Sequence, residues 1–151
     1  MQKQDVRELQ TTFPISSNYF PLWTNPGKTE NSSGYTVLVV DDDQATCELM
    51  RLCLKSLGYN VLLAENETEA LEYVMHEALD LILLDLVMPG RDGLAICAAI
   101  RQFVETPILI LTATSKIEYA ARAFQVGADG YITKPFTFST LKMRIRPFLS
   151  K

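Results

Sequence analysis

The sequence predicts a doubly wound α/β sandwich: five parallel strands, each followed by a helix that returns across one face of the sheet. Two observations carry this expectation. Four short runs are almost continuously apolar, as strands are when both their faces are covered. Between those runs, apolar residues recur at three- and four-residue steps, the period of a helix resting one face on a core. Strands alternating with helices imply right-handed crossovers and a parallel sheet.

The elements follow in chain order. Residues 37–40 are the first strand. Thr46, Leu49, Met50, Cys53, Leu54 and Leu57 trace the first helix, with Asp43 as its N-cap and Gly58 closing it. Residues 61–64 form the second strand, and a helix is expected over 69–76. The third pair is residues 81–84 and a helix over 93–103. The fourth is residues 108–111 and a helix over 117–126 that stops at Gly127. A shorter fifth strand, residues 131–133, precedes a helix with Phe138, Leu141, Ile145, Phe148 and Leu149 on one face. Pro147 falls inside that pattern and removes a hydrogen bond to residue 143, so a kink or early end is expected.

Composition bounds the function. The 151 residues are 48% hydrophobic and 21% charged, enough apolar material for a real core. Lys and Arg number 14 against 18 Asp and Glu, a net charge of −4 that argues against gripping nucleic acid or anionic membrane. No apolar run approaches the roughly 18 residues of a membrane span. The start, Met1-Gln2-Lys3-Gln4-Asp5, holds no secretory stretch. Cys47, Cys53 and Cys97 are odd in number and lie in helical patterns, so they read as reduced core thiols of a cytoplasmic protein. The lone histidine, His76, reads as a surface residue.

Residues 1–34 form an N-terminal extension and residues 35–151 the folded domain. Pro14, Pro21, Pro26 and Gly27 interrupt any helix in the extension, and its composition is that of a flexible tail. Phe13, Tyr19, Phe20 and Trp23 leave open a second reading, docking on the domain or on a partner. The extension's three acids and three bases cancel, which leaves 15 of the 18 acids and 11 of the 14 bases in the domain. No acid follows Asp129, so the surplus lies between Tyr35 and Asp129.

Those acids have a place in the pattern. Asp41 and Asp42 follow the first strand and Asp85 follows the third; in doubly wound sheets these ends can be neighbours, at the edge where ligands bind. Two unit charges about 4 Å apart repel by about 4 kcal/mol at an effective dielectric near 20, so gathered acids need a cation. Hard oxygen ligands suit Mg²⁺. Thr112 ends the fourth strand, and Lys134 follows the fifth. Each residue alone has a plain structural explanation. Together, at strand ends and in order, they make a site for a phosphoryl group.

At this point the chain resembles the receiver domain of two-component response regulators. The segments Val39-Val40-Asp41-Asp42, Asp85-Leu86-Val87-Met88-Pro89-Gly90-Arg91-Asp92-Gly93, Leu111-Thr112-Ala113 and Gly130-Tyr131-Ile132-Thr133-Lys134-Pro135-Phe136 match its motifs in order, over about residues 35–150. The resemblance implies a flavodoxin-like three-layer sandwich of strand order 2-1-3-4-5, similar to stand-alone chemotaxis regulators. It implies that Asp85 accepts a phosphoryl group from a sensor histidine kinase or a histidine phosphotransfer protein. Asp41, Asp42, Asp85 and the carbonyl of Val87 would hold Mg²⁺. Thr112 and Lys134 would bind phosphoryl oxygens, and Thr112 with Tyr131 would form the switch. The peptide bond before Pro135 is typically cis in the family.

On this reading the protein is a single-domain signalling module. Its self-phosphorylation and autodephosphorylation are auxiliary chemistry, and its output is an altered partner-binding face of the fourth helix, fifth strand and fifth helix. The chain ends soon after the fifth helix, so no output domain is expected. The downstream partner is a protein of unspecified identity. Direct DNA binding is not expected, because Arg144 points nearly opposite to Lys142 and Arg146. Val87 and Thr114 occupy positions that tune hydrolysis in the family. An apolar Val87 cannot orient the attacking water, so a fairly long-lived phosphoryl state is expected. Glu67 stands where many members have glycine, which suggests a different turn. Three alternatives remain: a dimerising receiver separated from its output domain, a phosphate-independent module, and an enzyme of flavodoxin-like or phosphatase type. The last ranks far behind, since three acids replace the phosphate loop that a flavodoxin needs.

Overall fold

The computed structural model describes residues 34–88, 91–113 and 117–149, without the side chains of Val87 and Arg91. Five strands, β1 (Thr36–Val40), β2 (Asn60–Ala64), β3 (Leu81–Asp85), β4 (Ile108–Thr112) and β5 (Gly130–Thr133), form one sheet. They alternate with α1 (Gln44–Ser56), α2 (Glu67–His76), α3 (Gly93–Arg101), α4 (Ile117–Gln125) and α5 (Phe138–Ile145). The spatial order is β2-β1-β3-β4-β5, with every neighbouring pair parallel. This is the expected order, with the switch in winding between β1 and β3.

Strand alternation divides the core into two layers. Leu38, Val40, Ile82, Leu84, Ile108 and Ile110 face the layer holding residues of α2, α3 and α4. Val37, Val39, Leu81, Leu83, Leu109 and Leu111 face the layer of α1 and α5, with Met50, Leu54, Leu141 and Ile145. The central strands β3 and β4 are buried along their whole length, which is why their sequences are unbroken apolar runs.

Caps set the helix boundaries. Asp43 accepts from the backbone N–H and the hydroxyl of Thr46, as the N-cap reading required, and these bonds hold its carboxyl below the ordinary range. Helix α2 starts two residues before the expected 69, because Asn66 caps it by accepting from the Glu69 N–H at 2.9 Å. Glu67 therefore sits in a helical first turn. Helix α3 ends at Arg101 rather than at residue 103, and α4 at Gln125 rather than 126. Helix α5 ends at Ile145, and a 3-10 turn (Arg146–Phe148) carries Pro147, the early end its missing N–H calls for. Phe148 and Leu149 still reach the α1/α5 layer.

The sequence pattern did not anticipate a two-residue antiparallel ribbon after β3, in which Val87 pairs with Asp92 and Met88 with Arg91. It delivers Asp92 as the N-cap of α3, accepting from the Leu94 N–H. It also presses Gly93 onto Leu86, where an added Cβ would stand 2.4 Å from the Leu86 carbonyl oxygen. At the opposite end of the sheet, Arg101 donates to the carbonyls of Val104, Thr106 and Gly127 and to Asp129. Asp129 in turn accepts the Ile108 N–H, so one guanidinium ties α3 to the entries of β4 and β5.

All three thiols are free: Cys47 and Cys97 are buried, while Cys53 is only half-buried at the edge of its layer. Burial, against the nearby positive charge of Arg101, pushes the Cys97 thiol up to about 11. Among the described residues no helix is long and apolar enough to cross a membrane. The aromatics of residues 1–33, like Thr114, lie outside the described residues.

Candidate functional site

The end of β1 places Asp41 next to the end of β3, because the two strands pair directly, with Val40 opposite Leu84. Asp41 is 1% exposed and Asp85, the last residue of β3, 7%. Asp42 is exposed. One carboxylate oxygen from each of Asp41, Asp42 and Asp85 lies within 4.8 Å of the others. The sequence reading brought these three acids together, and the fold does so.

Asp41 is held from several sides. Its N–H donates to the Ala64 carbonyl on β2, and its carbonyl accepts from the Cys47 thiol at 3.2 Å. Its Oδ1 accepts the Asp43 N–H at 2.9 Å. Its Oδ2 is buried and makes no hydrogen bond among the described residues. The charge nearest to it in the ion pairs of the site is the Lys134 ammonium, 3.6 Å away. That same ammonium lies 3.4 Å from Asp85 Oδ1. Lys134 reaches the cluster because its N–H donates to the Thr112 carbonyl at 2.7 Å, directly after the last β4–β5 pair, Thr112 with Thr133. The peptide bond between Lys134 and Pro135 is cis, as the resemblance implied. Thr112 itself is buried at the end of β4.

Among the described residues one ammonium pairs with two of the three clustered carboxylates, so this part of the site carries more negative than positive charge. Its donors are hard oxygens, and an unsatisfied buried carboxylate oxygen is costly unless a cation or proton partner meets it. The cluster can therefore coordinate a divalent metal ion. Burial, reinforced by the charge of Asp41 and its acidic neighbours, pushes the Cys47 thiol up to about 11. Cys47 was read from sequence only as core; its bond to the Asp41 carbonyl is a tertiary contact with no periodic signal. Val87 lies two residues past Asp85 in the ribbon, paired with Asp92. Tyr131 is half-buried on β5, its ring edge-on to that of Phe124 and its carbonyl bonded to Arg144.

A family model for the response regulator receiver domain matches residues 37–146. The chain belongs to this family. Solved structures agree with the assignment. A two-component response regulator from Clostridium difficile is 26% identical, covers 78% of this chain and 97% of its own, and superposes with a TM-score of 0.74. The Vibrio cholerae chemotaxis protein CheY4 is 33% identical, covers 76% of this chain and 98% of its own, and has a TM-score of 0.72. A response regulator from Burkholderia pseudomallei is 30% identical, covers 71% of this chain and 64% of its own, and has a TM-score of 0.67. That protein's structure contains a phosphorylated aspartic acid, a calcium ion and citrate.

Proposed function

We propose that this receiver accepts a phosphoryl group on Asp85 from a phosphohistidine of a sensor histidine kinase or histidine phosphotransfer protein. The observation that carries the reading is the pairing of Asp85 Oδ1 with Lys134 inside a cluster of three acids. Asp41 is more deeply buried and has one oxygen committed to the Asp43 N–H. Asp42 makes no ion pair with Lys134 among the described contacts. Asp85 is the acid at which reach and positive charge coincide. The modified aspartate of the Burkholderia relative supports the same chemistry.

In the transfer, an oxygen of Asp85 attacks phosphorus as the bond from phosphorus to the histidine nitrogen breaks, and that nitrogen leaves with the electron pair. An aspartate is a modest nucleophile, so the protein's work is positioning and charge compensation. Asp41, Asp42 and Asp85, with the Val87 carbonyl, would hold Mg²⁺. When bound, that ion neutralises the charge between carboxylate and phosphoryl oxygens. Lys134 supplies the second positive charge, and Thr112 hydrogen-bonds a phosphoryl oxygen. As Thr112 moves, Tyr131 turns into the space it leaves, and the face of α4, β5 and α5 changes for a partner protein. We place the receiver at residues 35–151, the extension at 1–34, and the protein in the cytoplasm, where free thiols persist. The chemistry is auxiliary to signalling. Mg²⁺-dependent labelling by acetyl phosphate tests this reading.

The metal has its own signature. A ligand that binds only the folded state stabilises it by about 2.7 kcal/mol at one hundred times its dissociation constant. Mg²⁺ titration should therefore raise the melting temperature of the unphosphorylated receiver, and Asp41→Asn should remove that rise. An equal shift in the variant and the parent would place the ion elsewhere.

A further inference from the structure

We infer that Phe124 is a positioning residue for the switch, its ring holding Tyr131 in the half-buried setting that phosphorylation must disturb. The inference rests on the phosphoacceptor reading above. Phe124 projects from α4 and is 48% exposed, although α4 has a buried face at Ala123. Its ring centroid lies 6.4 Å from that of Tyr131, with the planes at 76°. That edge-to-face geometry is attractive beyond simple burial.

The register explains why this contact matters. Tyr131 pairs with Ile110, and Thr112 lies two residues further along β4. Alternation puts the side chains of Ile110, Thr112 and Tyr131 on one face of the sheet, the face covered by α4. Thr112 and Tyr131 thus share one layer with Phe124. The Tyr131 backbone is fixed by β4 on one side and by the Arg144 guanidinium on its carbonyl. Only the side chain is left to move. Turning toward Thr112 takes the Tyr131 ring away from the Phe124 edge, so the contact opposes switching. An edge-to-face pair is worth a factor of about two to ten in such an equilibrium.

The test is a titration with Mg²⁺ and beryllofluoride, a phosphoryl mimic, on the full chain carrying ring-labelled tyrosine. The Tyr131 resonance is assigned with Tyr131→Phe. Phe124→Leu keeps apolar bulk and removes the aromatic edge, whereas Phe124→Tyr keeps the ring. The leucine variant should bind beryllofluoride about two- to tenfold more tightly, since a larger share of it is already binding-competent. Its ligand-free Tyr131 resonance should move toward the bound position, and Phe124→Tyr should restore the parent behaviour. A role in stability alone would lower the melting temperature and leave the resonance in place. Unchanged or weaker binding with an unmoved Tyr131 resonance overturns the inference and spares the phosphoacceptor reading. A parent protein that binds no beryllofluoride overturns both.

Discussion

Asp85→Asn should reduce Mg²⁺-dependent labelling by acetyl phosphate to background while the protein stays folded. The substitution keeps the shape of the side chain and deletes only its charge and nucleophilicity. Asp85 lies 3.4 Å from Lys134, and the other two acids of the cluster stand within 4.8 Å. Those neighbours could be supposed to take over as acceptors, but their environments argue otherwise. Asp41 is sealed beneath the strand ends with one oxygen bound to the Asp43 N–H. Asp42 is exposed, outside the ammonium's reach among the described contacts. The melting temperature of the variant should not fall, because a buried carboxylate has been removed from a site crowded with like charge. Intact-mass measurement after incubation with acetyl phosphate reads the outcome. Labelling of the variant at the parent's rate would remove Asp85 from its proposed role.

Gly93→Ala should be the most damaging small substitution in the fold. The alanine Cβ would stand 2.4 Å from the Leu86 carbonyl oxygen and 2.6 Å from its Cα, both backbone atoms that cannot rotate aside. Gly93 does not have a positive φ, so this cost is steric alone. Overpacking a closed site costs about 1–3 kcal/mol, and a backbone clash this close belongs at or above the upper end. For a domain of this size about 3 kcal/mol corresponds to a fall of roughly 12 °C in melting temperature. Gly34→Ala makes a useful contrast. Gly34 has φ of 78° with nothing within 4 Å of an added Cβ, so its penalty is conformational, about 1 kcal/mol. Thermal melts of the two variants separate the mechanisms. A fall of only 2–3 °C for Gly93→Ala would mean that the ribbon yields to make room.

The residues behind these two predictions differ in how far the sequence discloses them. Asp85 stands out because it ends the run Leu81–Leu84, whose unbroken apolarity marks a strand covered on both faces. Asp41 and Thr112 are disclosed in the same way, just past or at the end of such a run, and Lys134 follows the shorter fifth strand. Gly93 is visible as a residue but not as a constraint. Its crowding arises beside the pairing of Val87 with Asp92 and Met88 with Arg91, and a two-residue pairing has no period to read. Helix α2 begins earlier than its apolar pattern because Asn66 caps it, and a cap is set by one hydrogen bond rather than by periodicity. The aromatic pair of Phe124 and Tyr131 joins different elements, and it follows only from packing α4 over β5. Strand interiors and the acids that end them are local properties of the chain, whereas ribbons, caps and ring contacts belong to the assembled layers.

The bond from Arg144 to the Tyr131 carbonyl has a second consequence, for the life of the protein at high concentration. Among the described residues strand β5 is the outermost on its side of the sheet, and Tyr131 carries one of the acceptors that strand turns away from β4. An open edge of this kind can template the strand of another molecule and seed aggregation. By occupying that carbonyl with a bulky cation from α5, the chain denies a stray strand one of the acceptors it would need. The cation that fills this acceptor comes from the neighbouring helix, so the strand itself keeps its tyrosine at that position.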